Sequence, residues 1–135
     1  MGLPLFRLLD PVDSIVPPGE LVAETPHEST MGAYQRTYEI AEGHVILTEW
    51  CGLLHEVIYQ TPADDEAEAA DRNHALFLHY GEGHGFREIL DNGFGKTFRR
   101  DDMQRYALWS YAMDFTTIGT MEFHEVKWAS KSRLN

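Results

Sequence analysis

Cysteine is almost missing from this sequence: Cys51 stands alone among 135 residues. One thiol excludes an intramolecular disulfide and a cysteine-based zinc site, so an ordinary core must hold the fold. Basic residues are also scarce. Eleven Lys and Arg stand against 22 Asp and Glu, for a formal charge of −11. A field of that sign repels nucleic-acid phosphates and anionic lipid, which argues against either as a direct partner. Long apolar runs are missing too, and no stretch approaches the roughly 20 residues of a membrane span. In the opening MGLPLFRLLD, Pro4, Arg7 and Asp10 break the apolar run, so no secretion signal is expected there. The expected compartment is the cytoplasm. Beyond residue 33 even proline is rare, since five of the six prolines precede that point.

What is present is enough for one core. The hydrophobic fraction is 43%, with sixteen Phe, Trp and Tyr residues, in a chain long enough for a single domain. Residues 1–33 read as an extended Pro-rich arm packed on the body through Leu3, Leu5, Phe6, Leu8 and Leu9, supplying an edge strand. Residues 34–129 read as a single α+β domain, and residues 130–135 as a polar tail.

AYQRTYEIAEGHVILTEW predicts two strands around a turn at Glu42-Gly43. A third strand, LLHEVIYQ, follows Cys51-Gly52, giving an antiparallel meander. TPADDEAEAADRNHALFLHYG predicts a helix with Thr61 as N-cap, Pro62 at N1 and a stop at Gly81. Its core face is expected at Ala63, Ala67, Ala70, His74 and Phe77. Residues 86–91 predict a short helix, residues from Asp101 to Phe115 a buried helix, and residues 120–128 the last strand. The predicted fold is α+β: an antiparallel sheet of about four or five strands with two or three helices on one face. Its order is β-β-β-α-α-α-β after the arm.

Three constellations could carry function. His-Glu-Val occurs twice, at His55 and at His124, each in a predicted strand. Alternation turns His55 toward Val57 and Tyr59, and His124 toward Val126 and Trp128. If those strands are neighbours, two imidazoles converge in a pocket lined by Tyr59 and Trp128. Asp114 would then orient a base or bind a divalent metal. The alternative for both histidines is a satisfied core position. The second constellation is His79, Glu82 and His84, a candidate metal site that lacks the spacing of the helical zinc signature. No cofactor motif accompanies either, so no cofactor is expected, with a divalent metal as the alternative. GFGKTFRRDD matches no phosphate loop, and Lys96, Arg99 and Arg100 read as salt-bridged surface charge. Cys51 is expected to be buried and inert.

The third is DDEAEAAD. Asp64, Asp65, Glu66, Glu68 and Asp71 crowd one helix start. With Asp10, Asp13, Glu20, Glu24 and Glu28 of the arm they would form a broad negative face that steers a basic protein. The expectation is therefore a small acidic binding protein, such as an inhibitor or the immunity protein of a toxin, that docks a basic partner and is not an enzyme. The competing expectation is a small enzyme or ligand-binding domain built on the His/Asp pocket. Trp109 and Tyr111 are candidates for a homo-oligomer interface.

Overall fold

The computed structural model describes residues 3–91, 95–102, 104–111 and 114–124. They form eight antiparallel strands: β1 (Glu20–Pro26), β2 (Ala33–Ile40), β3 (Gly43–Trp50), β4 (Leu53–Gln60), β5 (Arg87–Asp91), β6 (Gly95–Arg99), β7 (Arg105–Tyr111) and β8 (Phe115–Thr120). The long α-helix, α1, is Glu66–Tyr80, and residues 121–124 are also helical. Strand order is β1-β2-β3-β4-β8-β7-β6-β5. Two four-strand meanders are thus joined by α1 and paired through β4 and β8, with β1 and β5 at the edges.

Local chemistry explains the first meander. Val45 and Leu47 alternate along β3, and Val57 and Tyr59 along β4, so each strand offers one apolar face. Their pairing continues across the junction: Leu47 is opposite Val57, Val57 opposite Ile118, and Ile118 opposite Leu108. That row is the centre of the core. The first hairpin turns at Ala41-Glu42, one residue before the expected position, and Gly43 already pairs with Ile40. Gly43 cannot carry a side chain, because a Cβ would lie 2.3 Å from the Gln60 carbonyl oxygen. The second hairpin is closed by Trp50 opposite Leu53, with Cys51 at φ 55 and Gly52 at φ 80. Two successive positive φ angles define a type I′ turn, whose twist matches the strands it joins. Cys51 is therefore exposed, not buried.

The second meander overturns the α+β expectation. Where a helix was expected over residues 86–91, Arg87–Asp91 form β5, and the expected helix after Asp101 is a turn followed by β7. An apolar run of this length fits a strand covered on both faces as well as a buried helix. Here Tyr106 and Leu108 enter the core while Ala107, on the opposite face, is 2% exposed. The last described strand is β8, which ends where a strand was expected to begin, and residues 121–124 form a helical turn. Trp128 and the tail at 130–135 lie outside the described residues.

The helix of the sequence reading exists but starts later. Asp65 is its N-cap, accepting from the Glu68 amide at 2.9 Å, and Gly81 ends it as expected. Thr61 instead receives Arg72, which donates to its carbonyl and to its hydroxyl (3.2 Å). The face turned to the sheet is Ala69, Arg72, Leu76 and Tyr80, and His74 is exposed. The arm reaches the core at Phe6 and Leu8 and supplies β1 at the edge. No described helix is long and apolar enough to cross a membrane.

Candidate functional site

The sheet has two ends, and the expected site residues are divided between them. At the upper end lie the β2–β3 turn, Gln60 of β4, the start of β8 and the start of α1. Glu20 is brought there by pairing with Glu39. Glu20, Glu39, Glu42, Asp64, Asp65, Glu66, Glu68 and Asp71 are all exposed. Glu42 and Glu68 line one cavity of about 120 Å³, together with Leu3, Pro62, Ala63 and Arg72. Glu42 had no signal beyond its turn position, and only the hairpin's return to Gln60 places it beside α1. Arg72 lies behind the rim, 5% exposed. Burial lowers its proton affinity, and the charges of Glu68 and Asp114 raise it again.

The broad acidic face does not form as one surface. Asp10 and Asp13 belong to the lower end, where the Val12 amide donates to the Gly52 carbonyl. Glu24 is midway along β1 and pairs with Arg36 at 3.6 Å. Glu28 follows β1 at its lower end.

At the lower end, His55 is 3% exposed and its Nδ1 lies 2.7 Å from the Thr120 hydroxyl. The Thr120 hydroxyl also accepts from the Phe123 amide at 3.4 Å, and the imidazole tautomer sets which partner donates between Thr120 and His55 Nδ1. Trp50 and Phe123 pack on the imidazole, with ring centroids at 5.2 and 5.7 Å. Burial pulls the His55 proton affinity down, and Glu122 partly restores it. A hydroxyl on an imidazole is also the geometry of an activated nucleophile. Thr120, however, is 4% exposed and caps the following turn, so it holds the chain in place.

The His/Asp pocket does not assemble. Asp114 precedes β8 and Thr120 ends it, so Asp114 and His55 are separated by roughly 20 Å along the strand. Tyr59 is sealed in the core, donating to the Pro4 carbonyl at 2.8 Å and meeting the Tyr80 hydroxyl at 2.6 Å. Burial pushes both phenols up. His124 follows Phe123 on the helical turn at residues 121–124, not on a strand. Beside Thr120 is a cavity of about 310 Å³, lined by Leu9, Asp102, Gln104, Arg105 and Glu122 among others. Arg100 engages two of these groups, Asp102 at 2.5 and 3.0 Å and Gln104 at 2.6 Å.

His79 and His84 do meet, with ring centroids 5.0 Å apart. His79 gives its Nε2 to the Phe6 carbonyl at 2.9 Å. Among the described residues, no group of three or more His, Cys, Asp or Glu is disposed to hold a metal. Lys96 pairs with Glu88 at 3.2 Å and with Asp91 at 3.7 Å.

No family model, curated protein or solved structure matches the chain. The functional reading therefore rests on geometry and charge.

The sequence reading also missed a polar line across the sheet. Gln35 donates to Thr48 (3.3 Å) and Thr48 to Glu56 (3.2 Å), a carboxylate only 2% exposed. Alternation puts Glu56 opposite in direction to His55, but nothing local shows that this second face is covered.

Proposed function

We propose that this chain is a binding protein that docks a basic protein partner on the acidic rim at the upper end of the sheet. The supporting observation is a cluster of exposed carboxylates with no cation beside them. Glu24, Glu49, Glu88, Asp91, Asp101 and Asp102 each have an Arg or Lys within 4.0 Å. Among the described residues, Glu42, Asp64, Asp65, Glu66, Glu68 and Asp71 have none and stand together at the rim, whereas Asp10, Asp13, Glu28, Glu82 and Glu122, also without one, are scattered elsewhere. Residues 1–71 hold fourteen carboxylates and only two basic residues, so the excess charge is concentrated rather than spread.

Such a rim attracts a basic surface before contact and speeds association. Leu3, Pro62 and Ala63 give the same cavity an apolar lining, which adds burial to attraction. Inhibitors and immunity proteins of toxins work by docking of this kind, and the proposed setting is the cytoplasm, where a lone exposed thiol stays reduced. A ligand-binding or metal-assisted enzymatic role would instead have to use the lower cavity beside Thr120, because Asp114 and His55 are apart.

The test is the triple variant Asp64→Asn, Glu66→Gln, Asp71→Asn. It spares the helix start, where Asp65 receives the Glu68 amide and Glu68 receives the Asp64 amide. A basic partner should co-purify with the untagged wild type in fixed stoichiometry. The variant should associate about tenfold more slowly at low salt, and the two should converge in high salt, where the Debye length falls to about 3 Å. Equal association rates at low salt, or no basic partner, would refute the proposal.

A further inference from the structure

The first described residues cross the core face without joining the sheet until Leu9, whose amide donates to the Leu54 carbonyl. Before that point their backbone is clipped by side chains. Tyr59 donates to the Pro4 carbonyl at 2.8 Å, and the Phe6 amide donates to the Tyr80 hydroxyl at 3.1 Å. His79 Nε2 holds the Phe6 carbonyl at 2.9 Å, and Tyr106 donates to the Leu8 carbonyl at 3.4 Å. Residues 3–9 are thus a strap, with Phe6 and Leu8 buried beneath it. Leu9 ends the strap at φ 72, a left-handed conformation that is costly for a bulky side chain.

Only one of these clips is an imidazole. A carbonyl can only accept, so His79 Nε2 carries a proton. The His79 ring meets His84 edge-on, at 5.0 Å and 82°. His84 belongs to a 3-10 turn, Glu82–His84, and its Nε2 is buried with no hydrogen-bond partner among the described residues. Four charged or titratable groups face His84: His79 from α1, Arg7 and Asp10 from the strap, and Arg100 from the link between β6 and β7. Glu82 lies two residues before it on its own turn. Asp10 is the one anion among the four.

We propose that His84 and His79 form an acid-sensitive latch that frees residues 3–9 from the core face when His84 takes up a proton. A proton on His84 adds a positive charge beside Arg7 and Arg100 and leaves a charged N–H without an acceptor. Moving the strap outward removes Arg7 and exposes the imidazolium to water. Burial, His79 and both arginines hold the His84 proton affinity below its ordinary value while the strap is closed. Opening therefore takes up a proton, and the opening constant rises by up to tenfold per pH unit below about 6.5. Release would also remove Leu3 from the lining of the upper cavity.

The test is hydrogen exchange of the full chain at pH 7.5 and 5.5, corrected for intrinsic exchange. Protection of the Phe6 and Leu9 amides should fall about tenfold more than that of Val45 and Val57 in the sheet. His84→Asn should remove that difference, and Arg7→Gln should reduce it. Strap and sheet losing protection together, or His84→Asn keeping the wild-type difference, would overturn the latch.

Discussion

Replacing Cys51 with Asn should stabilise the protein. Cys51 and Gly52 form the β3–β4 turn with φ of 55 and 80. A left-handed backbone costs an ordinary L-residue roughly 1–2 kcal/mol, while Asn tolerates it through local hydrogen bonding. Asn-Gly is the preferred pair for a type I′ turn. Cys51 is exposed, so little packing is lost in exchange. The expected gain is about 0.5–1 kcal/mol. With an unfolding entropy of about 2.1 cal/mol/K per residue over 135 residues, 1 kcal/mol corresponds to about 3–4 °C. Cys51→Asn should thus raise the melting temperature by about 2–4 °C, read by circular dichroism under reducing conditions. Gly52→Ala is the opposing control and should lower it, since a Cβ is added at φ 80. An unchanged or lower melting temperature for Cys51→Asn would show that the turn is not type I′ in solution, and with it the register of β3 on β4 would be in question.

Two further outcomes follow from the core and from His55. Ile118 is fully buried in the row that joins the two meanders, so Ile118→Ala should cost about 3–4 kcal/mol by urea denaturation. A cost below about 1 kcal/mol would mean that β8 does not pack where it is placed. Burial lowers the His55 proton affinity in the folded state, so the unfolded chain binds that proton more readily. The stability linked to neutral His55 is fully present above about pH 6.5 and is lost as pH falls from there through the lower folded value. The difference in unfolding free energy between wild type and His55→Gln should therefore shrink from pH 7.5 to 5, and a difference that grows would reverse the assignment.

The first meander could be read from the sequence because its signals are local. AYQRTYEI, GHVILTEW and LLHEVIYQ each alternate, and short turns separate them. The end of α1 at Gly81 and the acidity of its start could be read for the same reason. Its core face could not. Ala63, Ala67 and Ala70 share the helical spacing, but the side that packs is set by Arg72 reaching Thr61 and by Tyr80 meeting Tyr59. FREILD and RYALWSY were ambiguous in a different way. Each is too short for periodicity to separate a buried strand from a helix, and β7 became a strand because β6 and β8 flank it.

The sequence by itself determined the charge and its concentration in the first 71 residues, the lone thiol and the antiparallel β2–β4 meander. Each depends on composition or on contacts between near neighbours. Only the tertiary structure decided that β8 pairs with β4, and every long-range site follows from that pairing. It sets Thr120 on His55 and carries Asp114 to the opposite end. It also leaves Glu42 and Glu68 on one cavity while other acids find cations. Residues 55 and 120 are far apart in the chain, and closing that loop is driven by burial of the shared apolar row, which no local pattern encodes.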